Sequence, residues 1–158
     1  MALKTEEKAP DFTLKNQKGE TITLSDFKGQ WVLIYFYPKD DTPGCTKEAC
    51  SLRDEFGAFG KLDAVVLGIS TDTALSHKKF AEKYKLPFNL LSDTEKKVVE
   101  AYGVWGEKSM YGKNYRGTIR SSFLIDPDGV IVKIYPKVKP ETHAGEVLAD
   151  LRELQKLS

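Results

Sequence analysis

The sequence predicts an α/β fold, a central mixed β-sheet covered by helices on both faces. Three observations predict it. The runs Trp31 to Tyr37 and Ala64 to Ser70 are continuously apolar rather than alternating, as expected of strands buried on both sides. Helical stretches separate the successive strands after Trp31. Near the end, Pro127-Asp128-Gly129 joins two apolar runs as a hairpin and so adds antiparallel strands.

In chain order, Ala9 to Leu14 alternates polar and apolar residues and turns at Asn16 to Gly19. It returns as Thr21 to Leu24, giving an N-terminal β-hairpin. Ser25 to Gly29 is a turn that feeds the strand Trp31 to Tyr37, which Pro38 ends. Thr42 is then a candidate N-cap and Pro43 the first residue of a helix running to about Phe56, with Gly57 and Gly60 as stop signals. After the strand Ala64 to Ser70, Ala74 to Tyr84 reads as an amphipathic helix, with Leu75, Phe80 and Tyr84 near helical spacing. Pro87 to Leu91 is a short strand, and Glu95 to Tyr102 a short helix ended by Gly103. Val104 to Gly117 reads as a polar, glycine-punctuated loop carrying Trp105, Met110, Tyr111 and Tyr115. Ser121 to Asp126 and Val130 to Tyr135 are the hairpin strands, and Thr142 to Leu157 the closing helix. The order is β-β-β-α-β-α-β-α-β-β-α, without repeat, low-complexity tract or linker, so residues 1–158 are expected to form a single domain.

Composition narrows the function. The chain is 41% apolar and 30% charged, which fits a globular protein able to build an ordinary core. A net charge of +1 argues against nucleic-acid and membrane-surface roles, which need a pronounced basic patch. No apolar run approaches the roughly 20 residues that span a bilayer, and the N-terminus is too polar for a signal peptide. A cytoplasmic protein is the expectation, and there two close cysteines are more often catalytic than a structural staple.

Both cysteines, Cys45 and Cys50, lie just after Tyr35 to Pro38. Cys45 falls in the first helical turn, where free N–H groups and the positive end of the helix dipole favour a thiolate. On an ideal helix, positions five apart differ by about 140° and rise roughly 7.5 Å, which sets their Cα atoms about 8.7 Å apart. A disulfide needs about 4.4–6.8 Å, so bonding the pair requires unwinding at least a turn. A permanent staple fits that geometry poorly. A metal site fits no better, because His77 and His143 are far apart in sequence and read as surface residues. Arg120 precedes the strand Ser121 to Asp126; it reads either as a salt-bridged surface arginine or as a partner for the thiol. Thr42 likewise reads as a cap or as a site residue. Trp105 and Tyr111 could line a substrate mouth or form a small satellite core.

Pro38-x-x-x-Thr42-x-x-Cys45 resembles the active-site motif of the peroxiredoxins, and Pro43-Gly-Cys-Thr-x-Glu-Ala-Cys50 that of their peroxiredoxin Q (bacterioferritin comigratory protein) subgroup. The similarity extends to Ala9 to Phe12, Leu52 to Asp54, Gly68 to Ser70, Tyr102 to Trp105 and Arg120 to Asp126. It implies a thioredoxin-like fold and reduction of hydroperoxides to alcohol and water. It implies that Cys45 is the peroxidatic cysteine and Cys50 the resolving one, giving an intramolecular disulfide. It also points to Arg120, rather than Arg53 or Arg116, as the thiolate partner, with Thr42 aligning the peroxide and Pro38 shielding the sulfur. Thioredoxin or a similar dithiol would recycle the disulfide. No metal or organic cofactor is called for, and a monomer or weak homodimer is expected. Two other readings remain: a thiol-disulfide oxidoreductase, which usually spaces its cysteines two residues apart, and a holdase exposing apolar surface when the helix unwinds.

Overall fold

The computed structural model describes residues 3–110 and 112–156, so Tyr111 and Leu157 lie outside the described residues. The elements are β1 (Thr13–Lys15), β2 (Thr21–Thr23), a 3-10 turn (Leu24–Phe27), β3 (Trp31–Phe36), α1 (Pro43–Asp54), α2 (Phe56–Lys61), β4 (Ala64–Ser70) and α3 (Ala74–Tyr84). They continue with β5 (Asn89–Ser92), α4 (Lys97–Ala101), β6 (Trp105–Met110), β7 (Lys113–Thr118), β8 (Ser121–Ile125), β9 (Ile131–Tyr135) and α5 (His143–Lys156).

Seven strands form one mixed sheet in the order β2-β1-β5-β4-β3-β8-β9. β3 runs parallel to β4, with Trp31 opposite Ala64 and Phe36 opposite Ile69, and antiparallel to β8, with Phe36 opposite Ser121. Alternate residues of β3, continued by Tyr37 just beyond it, enter two cores. Leu33, Tyr35 and Tyr37 pack with Ala49, Leu52, Phe59, Phe80 and Leu151 under α1, α2, α3 and α5. Val32, Ile34 and Phe36 pack with Phe12, Val98, Val99 and Tyr102 under α4 and the N-terminal hairpin. That two-sided burial is why β3 reads as a continuous apolar run.

Three expectations change. The helix from Thr42 to about Phe56 is broken at Glu55 (φ −100°, ψ 7°), and Gly57 and Gly60 stop nothing: both lie inside α2. Packing of Phe56 and Phe59 against the core outweighs the low helix propensity of the glycines. The supposed loop from Val104 to Gly117 is instead the hairpin β6–β7, with Gly106 opposite Gly117 and Gly112 at φ +75° in the turn. Leu75 is 62% exposed, and the buried face of α3 is His77, Phe80 and Ala81.

The register of β3 against β8 sets one residue in particular. Where β3 ends at Phe36, β8 begins at Ser121, so Arg120 lies beside the loop that leaves β3 for α1.

Candidate active site

β3 pairs with β4 as far as Tyr37, whose N–H donates to Ile69 O, and Pro38 then opens the loop. Thr42 stands at the N-cap of α1 in extended conformation (φ −98°, ψ 157°) and its carbonyl takes the first helical bond, from Thr46 N–H at 2.8 Å. Its side chain does not cap, contrary to one reading of the sequence. The hydroxyl donates backward to Lys39 O at 2.9 Å. Pro43 has no N–H, and Gly44 and Cys45, as second and third residues of the helix, have N–H groups without intrahelical acceptors. Cys45 therefore stands in a helical turn whose free N–H groups and dipole favour an anion.

Cys45 is 1% exposed and Cys50 half-buried, and both are free thiols on the one helix α1. The helical spacing of about 8.7 Å thus applies to them, and they cannot bond while α1 is intact.

Arg120 closes the site from β8. Its Nη2 donates to Cys45 Sγ at 3.2 Å and its Nη1 to Glu48 Oε1 at 2.8 Å. Burial works against its charge, but Cys45 and Glu48 outweigh that and hold the guanidinium above its ordinary pKa. The surface-arginine reading of Arg120 is therefore set aside. Gly44 leaves room for the approach, since a Cβ there would come to 3.0 Å from Arg120 Nη2 and displace the guanidinium by a few tenths of an ångström.

Glu48 joins the site although its sequence context did not single it out. It is wholly buried, and among the described residues its Oε2 has no hydrogen-bond partner. Burial raises its carboxyl to about 7, outweighing the opposite pull of Arg120. A signal was available: Glu48 comes three residues after Cys45, within the buried stripe Cys45, Ala49, Leu52.

The other side chains sort differently. Trp105 packs on the core of the opposite sheet face, with Lys96 Nζ 4.9 Å from its ring centroid, so it belongs to packing. His77 and His143 are not surface residues; they are 0% and 1% exposed. His143 Nε2 lies 2.8 Å from Ser122 Oγ, and burial lowers its pKa. His77 pairs with Asp40 at 2.7 Å. Among the described residues Asp40, Asp72 and His77 bring metal-capable atoms within 4.8 Å of one another, but hydrogen bonds already occupy both carboxylate oxygens of Asp40, Oδ2 of Asp72 and both ring nitrogens.

The model of the AhpC/TSA family matches residues 5–134. The chain is 49% identical over 154 residues to peroxiredoxin Bcp of Bacillus subtilis, covering 98% of each. It is 51% identical over 151 residues to peroxiredoxin Bcp of Escherichia coli, covering 96% of this chain and 97% of that one. The bacterioferritin comigratory protein of Xanthomonas campestris, studied for alkyl peroxide reduction, matches with a TM-score of 0.89 at 39% identity, covering 96% of this chain and 99% of that one. A peroxiredoxin Q variant from Xylella fastidiosa matches with a TM-score of 0.93 at 34% identity, covering 98% and 99%. A buried thiol at a helix N-terminus on a thioredoxin-like sheet defines a thiol-dependent oxidoreductase. The chain belongs to the AhpC/TSA family and, within it, stands with the Bcp/peroxiredoxin Q proteins, which are thiol peroxidases. Among the described residues, no helix is long and apolar enough to cross a membrane.

Proposed function

We propose that this chain reduces hydrogen peroxide and organic hydroperoxides with Cys45 as the attacking thiolate and Cys50 as the resolving thiol. The observation that carries the reading is the 3.2 Å contact from Arg120 Nη2 to Cys45 Sγ, made in the first turn of α1. Guanidinium and helix N–H groups stabilise negative charge on the sulfur and on oxygens brought up to it.

Cys45 S⁻ attacks the terminal oxygen of the hydroperoxide; an S–O bond forms and the O–O bond breaks. The terminal O–H stays on sulfur as the sulfenic acid, and the departing alkoxide takes a proton from solvent to leave as alcohol. The proton of Thr42 is committed to Lys39 O, so its oxygen meets the substrate as an acceptor for the peroxide O–H. Arg120 and the Cys45 N–H face the charge that develops on the departing oxygen. Pro38, half-buried at the loop's start, keeps water from the sulfur. Cys50 then attacks the sulfenic sulfur and displaces water, which leaves an intramolecular disulfide. A dithiol of thioredoxin type reduces it by exchange. We assign the whole chain to one domain, which the seven-stranded sheet supports, and place it in the cytoplasm.

The test is single-turnover oxidation of the reduced protein by hydrogen peroxide, with trapping of the sulfenic acid and mass mapping. Rapid appearance of the modification on Cys45 is expected. A reduced protein that does not react, or one modified elsewhere, would overturn the reading.

A further inference from the structure

The loop that carries Pro38 and Thr42 into α1 is fastened away from α1, to α3 and to the turn between β4 and α3. Asp40 is 7% exposed. Its Oδ1 accepts from the Tyr37 hydroxyl at 2.6 Å, and its Oδ2 accepts from the Ser76 hydroxyl at 2.8 Å. The same Oδ2 lies 2.7 Å from Nδ1 of His77. His77 Nε2 lies 3.0 Å from Leu91 O, which can only accept, so Nε2 carries a hydrogen. Nδ1 also lies 3.3 Å from the Tyr37 hydroxyl, so Asp40, Tyr37 and His77 close on one another. Burial holds the Tyr37 hydroxyl well above its ordinary pKa, which keeps it a donor.

The backbone is tied as firmly. Asp40 N–H donates to Asp72 Oδ2 at 2.8 Å, an oxygen that also accepts from the Ser70 hydroxyl at 2.7 Å. Asp41 comes next at φ 57°, in the left-handed region, with its carboxylate held by Lys83 at 2.8 Å and Tyr84 at 2.9 Å. A non-glycine residue keeps that conformation where its surroundings over-determine it. These bonds act on the loop rather than on the sulfur.

Resting on the peroxidase reading, we infer that Asp40, locked by His77, Ser76 and Tyr37, is a positioning residue for the peroxide step. It fixes the 38–42 loop so that Thr42 and the first turn of α1 stay aligned with Cys45 and Arg120, and it holds that loop when the rest of α1 unwinds. Alignment carries weight because a misplacement of about 1 Å at a reacting centre costs on the order of a hundredfold in rate. The anchor matters again on rewinding. Helix nucleation is the unfavourable step, and a loop still pinned to α3 keeps Thr42 and Pro43 in starting conformation.

Asp40→Asn preserves the shape but replaces one of the two accepting oxygens with an NH2 group, so the hydroxyls of Tyr37 and Ser76 can no longer both donate to it. Its reaction with hydrogen peroxide should slow by about ten- to a hundredfold. Alkylation of Cys45 by iodoacetamide, which needs a thiolate but no alignment with Thr42, should change by less than about threefold. An unchanged peroxide rate overturns the inference. So does a parallel loss of both reactivities, which would mark an effect on the sulfur itself. Should Asp40→Asn not fold, Ser76→Ala combined with Tyr37→Phe removes two donors and leaves the pair with His77. The same split is expected, about threefold or more on peroxide, and wild-type rates for both reagents overturn the proposal. Hydrogen exchange on protein oxidised with diamide tests the anchor without any peroxidase activity. The Asp40 amide should stay protected while residues 46–54 lose protection, and its loss in step with α1 refutes the anchor. If wild-type protein fails to react with peroxide yet keeps the protected Asp40 amide, the peroxidase reading fails and the anchor stands.

Discussion

Glu48 and Arg120 meet at 2.8 Å one helical turn below the Cys45 sulfur, and Glu48 brings a second oxygen that finds no partner among the described residues. The pair sits on the helix that must unwind for Cys50 to reach Cys45.

That placement makes the stability of α1 depend on pH. Burial raises the Glu48 carboxyl from 4.5 to about 7 in the folded helix, whereas the unwound segment returns it to solvent. Below about 4.5 both states hold the proton, and the folded state keeps its full share of stability. Between 4.5 and 7 the folded state binds more protons, so its stability falls as pH rises; above 7 it is flat again. The change is on the order of 3 kcal/mol across the window. Denaturant midpoints of the reduced protein and of Glu48→Gln, measured from pH 4.5 to 8, should therefore draw apart or together by an amount that depends on pH. A constant offset between the two would show that Glu48 does not titrate there.

The two cysteines should separate cleanly by substitution. Cys45→Ser should abolish peroxide consumption, because the remaining thiol is neither at the helix N-terminus nor on Arg120. Cys50→Ser should keep one rapid oxidation and stop at the sulfenic acid, detectable by dimedone trapping and mass spectrometry. A Cys45→Ser protein that still reacts rapidly would reverse the assignment.

Arg120 and Thr42 are expected to act in the peroxide step by different chemistry. Arg120→Ala should slow it by about ten- to a hundredfold, the cost of losing a preorganised donor. Arg120→Lys should not restore it, because Arg120 uses separate nitrogens for Cys45 and Glu48 and one ammonium cannot occupy both positions. Thr42→Val loses the acceptor oxygen and should slow the step comparably, whereas Thr42→Ser keeps it. Stopped-flow oxidation of the four variants decides this, and an Arg120→Ala protein with the wild-type rate would reduce the arginine to a structural tie.

Much of the fold is legible in the chain because burial leaves a pattern. Continuous apolar runs mark β3 and β4, and Thr42-Pro43 marks the start of α1. Elements without such a pattern escape. The β6–β7 ribbon has polar residues on both faces, so no alternation betrays it; its pairing rests on backbone bonds and on Gly112 in the turn. α2 forms despite two glycines because Phe59 is packed beneath the sheet, a tertiary effect that propensity cannot register. His77, His143 and Glu48 are hidden for another reason. A polar residue on a helix reads as solvated until its partners are known, and Asp40, Ser122 and Arg120 come from distant parts of the chain. The place of Arg120 before β8 offers it as a partner for the thiol without deciding against a surface arginine, since the β3–β8 register that brings it to Cys45 is a property of the folded sheet.

The spacing of Cys45 and Cys50 requires that oxidation melt the helix that carries the site. Both residues lie within α1, where positions five apart hold their Cα atoms about 8.7 Å from each other, beyond the reach of a disulfide. Bonding them breaks several backbone hydrogen bonds of α1. It also withdraws Glu48 from Arg120, and Ala49 and Leu52 from a core in which both are fully buried. At the far end it strains the tie from Arg53 Nη1 to Tyr84 O, a 2.8 Å bond to the last residue of α3. The peroxide chemistry supplies the free energy, so the oxidised protein can be locally less ordered while the sheet, whose β3 pairs on both sides with β4 and β8, remains whole. The same opening lets a reducing dithiol reach sulfurs that are otherwise buried or half-buried. Amide hydrogen exchange on reduced and oxidised protein measures it. Protection from Thr46 to about Phe56 should fall on oxidation, while Val32 to Phe36 keep theirs. A disulfide that forms with protection unchanged across α1 would mean that the cysteines bond without unwinding, and the resolving step proposed for Cys50 would need another route.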